Sequence, residues 1–320
     1  MLTRRTALLG ATLALPAQAQ ERFPSRPVTL IVPGAPGGGG DFTARLLAEG
    51  LAGPLGQSVP VENRTGGSGN VAASFVARAA PDGYTLLLAY SGTHVANPAL
   101  FRELAWHPIR SFAPVALLLT APHVLVIRPD LPARDMAELA AYIRRNPGRV
   151  TYASSGVASI QHLGGAMLAQ ALGTEMVHVP YRGAGPAMSD IIAGRVDMII
   201  TTPPAVMGQI QTGAVRAIVQ TGRARHPMLP NLPTTAEAGL PGFELEAWFG
   251  IYAPAGTPRE AVLRLSRDIQ GVTETAEFRR KAQEAGTYVT FLGPEELAAF
   301  TATELTRWSG IIQGLGIRLD

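Results

Sequence analysis

Four consecutive glycines stand before an acidic residue in Pro33–Phe42, PGAPGGGGDF, and a second glycine cluster, TGGSGN, fills residues 65–70. Such runs expose backbone N–H groups, which at a helix start are natural donors to a phosphate or a carboxylate. A nucleotide loop of the form G-x-x-x-x-G-K-[ST] fits the spacing of Gly34 and Gly39, but Gly40 and Asp41 occupy the lysine and hydroxyl positions. A dinucleotide fingerprint begun at Gly37 or Gly38 meets Phe42 or Thr43 where glycine or alanine is required. Gly67, Gly69 and Ala72 do fit, yet the next strand, YTLLLAYS, ends without the acid that would hold a ribose. Glycine runs also serve as plain turns, so other residues must decide.

Ser68 in GGSGN and Ser155 in YASSG come nearest to a nucleophile elbow, and each misses G-x-S-x-G. An exported serine hydrolase or esterase is the enzyme reading they leave open. The histidines, at 94, 107, 123, 162, 178 and 226, include no pair three or four apart and no H-E-x-x-H. With no cysteine, there is no thiolate nucleophile and no disulfide framework. No metal and no cofactor is expected. His178 in VHVPY reads as a strand histidine, while His94 and His162 lie beside candidate loops and can donate a hydrogen bond. Asp41 can orient a ligand or cap a helix; Asp197 can reach a cleft or cap a turn; Arg182 can neutralise an anion or sit solvated. Trp106, Trp248 and Trp308 read as packing.

The elements that must position these residues recur along the chain. VTLIVPG leads through the glycine loop into DFTARLLAEGLAGPLG; SVPVENR leads through TGGSGN into VAASFVARAA, with Asn70 as candidate cap; YTLLLAY ends in Ser91–His94. After about residue 120, RVTYA runs into SSGVAS, EMVHVPY into RGAGP and RVDMII into TTPP. Strand, loop and helix in alternation predict two α/β units with mostly parallel sheets. In such sheets ligands sit beyond the carboxyl ends of the strands, where these small polar loops lie.

Residues 1–20, MLTRRTALLGATLALPAQAQ, carry Arg4 and Arg5, an apolar run and Ala17-Gln18-Ala19. This predicts a cleaved export signal over residues 1–19 and a periplasmic mature protein, by the general or the twin-arginine route. Its two arginines account for the fall in net charge from +3 to +1 beyond it. Lys281 is the only lysine, and no basic run interleaved with aromatics occurs, which excludes nucleic acid as a partner. No later apolar run approaches the roughly 20 residues of a membrane span.

IVPGAPGGGGD, VENRTGGSGN with ARAAPDGYTLLL, HVPYRGAGPAMSDIIAGRVDMI, LPNLPTTAEAGLPGF and FGIYAPAGTP together resemble the periplasmic solute receptors of tripartite tricarboxylate transporters, the Bug or TctC family. The resemblance covers nearly the whole chain beyond the signal. It implies a two-lobed type II periplasmic-binding-protein fold, a monomer that closes on a small mono-, di- or tricarboxylate and delivers it to a membrane permease. A binding protein serving a sensor kinase would share the pocket. The implied lobes are residues 20–120 with 246–320, and residues 121–245; Ala113–Asp130 and Phe243–Pro254 read as the crossing strands. One ligand wall is implied at Gly38, Gly39, Gly40 and Asp41, at Gly66, Gly67 and Ser68, and at Ser91, Thr93 and His94. The facing wall is implied at Ser154, Ser155, Gly156, Ser159 and His162, at Gly183, Ala184 and Gly185, and at Thr201 and Thr202. The sequence departs from the common pattern at Arg182, where lysine is frequent, and at Ala158, where glycine is frequent.

Overall fold

The structure, a computed structural model, describes residues 23–319; the expected export signal lies outside the described residues. The first of two sheets takes β1 (Thr29–Val32), β2 (Val61–Asn63), β3 (Thr85–Tyr90), β4 (Phe112–Pro122), β10 (Glu246–Pro254) and β11 (Tyr288–Leu292), in the order β11-β4-β10-β3-β1-β2. The second takes β5 (Val124–Ile127), β6 (Thr151–Ser154), β7 (Val177–Pro180), β8 (Met198–Thr201) and β9 (Arg216–Gln220), in the order β7-β6-β8-β5-β9. Between the strands run α1 (Gly39–Leu55), α2 (Asn70–Ala77), α3 (Asn97–Leu100), α4 (Met136–Arg145), α5 (Ile160–Leu172), α6 (Ala184–Ile192) and α7 (Met207–Gln211). The C-terminal helices α8 (Arg259–Glu274), α9 (Ala276–Glu284) and α10 (Pro294–Leu315) return to the first sheet, where α8 and α10 pack on β4.

The expectation of mostly parallel sheets needs correction, because both are mixed. β1 is parallel to β2 and β3, and β6 to β7 and β8. By contrast β10 is antiparallel to β3 and β4, β11 to β4, and β5 to β8 and β9. Parallel neighbours need a helical crossover, which the β-loop-α units supply. The strands that carry the chain between sheets run back against them.

The segment Ala113–Asp130, expected as one crossing strand, breaks at His123. Pro122 has no N–H to give a ladder. The His123 N–H leaves for Leu245 O at 3.2 Å and Thr221 Oγ1 at 2.9 Å. The return strand begins only at Glu246. Both changes of sheet are therefore made within a few residues of one hydrogen-bonded knot.

Alternation along the strands divides the core. Leu30, Val32, Leu86 and Leu88 pack into one apolar cluster, and Ile31, Leu87 and Ala89 into another, because successive side chains point to opposite sheet faces. The second cluster also contains Leu125, Leu163 and Ile200, so one core spans both sheets. Trp106, Trp248 and Trp308 are buried within it, as their packing reading expected. Asp197 accepts from Thr151 N and Oγ1 at 2.8 Å and pairs with Arg128, which ties β8 to β6 and β5 and takes it away from any cleft.

Candidate functional site

The loops after β1, β2, β3, β6, β7 and β8 meet around two adjoining cavities. The inner one, about 80 Å3, has walls from Gly38–Asp41, Ser91, Ser155, Ile160, Gln161, Gly183, Ala184, Thr201 and Thr202, with Tyr90, His123, Ala247 and Phe249. The outer one, about 560 Å3, is walled by Gly66–Gly69, Ser155–Val157, Ser159, Tyr181 and Arg182. Gly34, Ala35, Tyr90, Ser155 and Gly183 belong to both, so the two form one cleft with a narrow inner end.

The inner end gathers the starts of three helices, α1, α5 and α6. The first N–H groups of a helix have no intrahelical partner, and each start carries the equivalent of roughly half a positive charge. Two hydroxyls join them. Ser91 Oγ, beyond β3, and Thr201 Oγ1, at the end of β8, are fully buried and without a hydrogen-bond partner. A buried polar group left unmade costs about 1–3 kcal/mol, so these hydroxyls suit a guest rich in acceptors or donors. Arg182, exposed on the outer rim, is the only arginine or lysine in either wall among the described residues.

On the first-sheet side the wall is backbone. Within Gly37–Gly40 only Gly37 has a positive φ, of 81°. Gly39 is needed for space: a Cβ there would stand 2.6 Å from Thr202 Oγ1 and 3.1 Å from the Phe249 ring. Asp41 is not the helix cap, a place taken by Gly38. Its buried carboxylate accepts from Gly37 N at 3.0 Å and from Arg45 Nε at 3.1 Å. Burial by itself would raise its pKa, but the hydrogen bonds from Arg45, Gly37 and Asn63 outweigh it and hold the group below its ordinary value. Asn70 is likewise not a cap; Gly69 precedes α2, and the Asn70 amide oxygen accepts from Asn97 at 2.8 Å.

On the second-sheet side the wall is built from hydroxyls over a neutral base. Ser159 caps α5 by accepting from His162 N at 3.3 Å and donates to Gly156 O at 2.7 Å. Ser154 Oγ donates to the same carbonyl at 2.9 Å and lies 2.6 Å from His178 Nε2. Below them the His162 and His178 rings stack at 4.0 Å, with Tyr152 next in the pile. Burial and the neighbouring His162 push the His178 pKa down to about 4, and burial lowers that of His162.

Five residues of the expected site line neither cavity. His94 lies in the core among Trp106, Phe112, Trp248 and Tyr252, and burial pushes its pKa down to about 3. Thr93, also buried, supports the loop at Ser68 O from below at 3.3 Å. Ser154 and His162 hold the serine loop from behind, and Gly185 is exposed beyond it. The other expected residues all stand in the walls.

A family model described as tripartite tricarboxylate transporter family receptor matches residues 43–317. The chain belongs to this receptor family. Its fold is that of solved periplasmic binding proteins. The protein described as periplasmic binding protein BugD is 36% identical with a TM-score of 0.89, over 92% of this chain and 99% of that one. Rpa4515 of R. palustris, solved with adipate, is 35% identical with a TM-score of 0.90 over 92% and 99%. MatC of Rhodopseudomonas palustris, solved with bound malate, is 36% identical with a TM-score of 0.87 over 91% and 100%.

Several further residues complete the walls of this receptor. Tyr90, Ile160 and Gln161 lie one or two positions beyond the expected loops, at the strand end or helix start that adjoins each. Phe249, Ala247 and His123 carry no local signal, because the first two enter the cleft from β10 and His123 from the break between β4 and β5.

Proposed function

We propose that this receptor captures a small organic acid in the cleft, with one carboxylate in the inner cavity and the remainder of the molecule in the outer one. The observation that carries this reading is the convergence of three helix starts from both sheets on one narrow cavity with two unpartnered hydroxyls. A carboxylate accepts up to four hydrogen bonds and matches that donor set without a cation. Arg182 on the outer rim favours a second acidic group at the far end of the ligand.

Binding without conversion fits the serines. Ser155 Oγ donates to Gln161 Oε1 at 2.9 Å and Ser68 Oγ to Val157 O, so neither leans on a histidine. The Ser154–His178 pair lies behind the loop, outside both cavity walls. In this reading residues 20–120 with 246–320 form one lobe and residues 121–245 the other, and the exported monomer hands its acid to a permease.

Mass spectrometry of small molecules released on denaturing the purified protein identifies the ligand. A thermal-shift panel headed by malate and adipate tests the class, since a ligand at 100 times its Kd adds about 2.7 kcal/mol. Response to sugars or nucleotides with none to organic acids overturns it. Cleavage of a generic ester, abolished in Ser68→Ala or Ser155→Ala, would establish the enzyme instead. Uptake by vesicles carrying the permease separates a transport receptor from a sensor's binding protein.

A further inference from the structure

Among the described residues, two that are not glycine have a positive φ, and they stand on opposite sides of the cleft. Ser68, with φ 57° and ψ 34°, sits within Gly66–Gly69, where every φ is positive. Ala158, with φ 67°, follows Val157 in the serine loop. A left-handed backbone is unfavourable for any residue with a side chain, so glycine would suit position 68 better than Ser68 on backbone grounds alone. Its hydroxyl supplies the compensating contact by donating across the cleft to Val157 O.

Both partners of that bond are held in place from behind. Ser68 O accepts from Asn97 Nδ2 at 3.0 Å and Thr93 Oγ1 at 3.3 Å. On the other side Ala158 N donates to His162 Nδ1 at 3.2 Å, and Ser159 N to Gly156 O at 3.2 Å. Other hydrogen bonds join the two halves, Gln170 to Gly314 O and His226 to Thr287 O, but those residues lie outside both cavity walls. Nearby, the two sides come into steric register: a Cβ on Gly183 would stand 2.7 Å from that of Ala35.

We infer that Ser68 is a positioning residue, a latch whose hydroxyl ties the glycine wall to the serine wall and holds the cleft shut. It sets how long a guest stays, whereas a ligand contact would set which guest binds. The inference rests on the proposed solute-binding role, but its central test does not require the ligand. The chain contains no cysteine, so spin labels can be placed at Val71→Cys on α2 and Ile192→Cys on α6, both exposed. Distances between them are recorded in the otherwise wild-type protein and with Ser68→Gly or Ser68→Ala, without acid and with malate.

The latch requires a short-distance, closed population that both substitutions reduce about 2- to 10-fold, the range of one net hydrogen bond. Where malate binds, stopped-flow measurement should find faster dissociation by a similar factor and an unchanged association rate. Ser68→Gly, which relieves the backbone, and Ser68→Ala, which does not, should agree, because both lose the hydroxyl. A distribution unchanged by either substitution, or a wild type that never populates the short distance, overturns the latch. A loss of affinity with no change in distances returns Ser68 to the ligand contacts. Indifference of the wild type to every organic acid would instead defeat the solute-binding role, and the wild-type-to-variant comparison of distances would still stand.

Discussion

The two walls of the cleft present similar donors on different foundations. The glycine wall is bare backbone held by an ionised pair, Asp41 with Arg45, whose carboxylate also fixes Gly37 N. The serine wall is held by hydroxyls over stacked neutral imidazoles, His162 and His178. A site that binds an anion gains from amides on both sides, because amides bring partial positive charge without a counter-ion that must first be desolvated. The supports then differ in what disturbs them: volume and charge on one side, protons on the other.

Gly39→Val should have the largest effect on the glycine wall. Its side chain would run into Thr202 and Phe249, and overpacking costs up to about 3 kcal/mol. Calorimetry should find binding weakened by about 100-fold, with an unchanged circular dichroism spectrum. Normal binding would reduce the glycine run to a linker.

Acid should act on the serine wall first. His178 has its pKa pushed down to about 4 from an ordinary 6.5, so the fold favours the neutral ring; that contribution is complete above pH 6.5 and is lost as pH falls through about 4. Asp41 is held below its ordinary 3.8, so its contribution persists down to that pH and fails only in stronger acid. Hydrogen exchange corrected for intrinsic rates should show residues 154–162 losing protection by about 10-fold between pH 6.5 and 4, with residues 37–45 unchanged. Equal loss in both segments would erase the distinction.

Asp41→Asn tests the other foundation. It keeps the shape but removes the charge that Gly37 N and Arg45 meet, and should cost about 1 kcal/mol in urea unfolding. Most of that loss should survive in an Arg45→Gln background, because Arg45 is largely exposed and an exposed pair is worth about 0.2–1 kcal/mol. The smallest effect belongs to Arg182→Gln. A rim charge should change affinity for a diacid by about 2- to 3-fold, and less as salt rises. Loss of all binding would mean that an ion pair, not the helix starts, holds the acid.

Much of this was legible in the chain. Glycine and serine loops after β-branched strands located the strand ends, and long ordered motifs gave the family. His94 and His162 stand outside the walls for one reason: proximity in sequence to a loop says nothing about which side of it a ring enters. His94 turns into the aromatic core, and His162 into the stack beneath the serine loop.

Local chemistry follows from the chain alone, because N–H supply, helix starts and tolerance of a left-handed backbone depend on residues within a few positions of one another. Tertiary structure alone decided which groups share the cleft. Phe249 reaches it from β10 and His123 from the break between β4 and β5, Ser91 and Thr201 are left without partners there, and Ser68 finds Val157 across 89 positions of chain. Those meetings follow from how two mixed sheets pack over a common core, and no short-range preference encodes them.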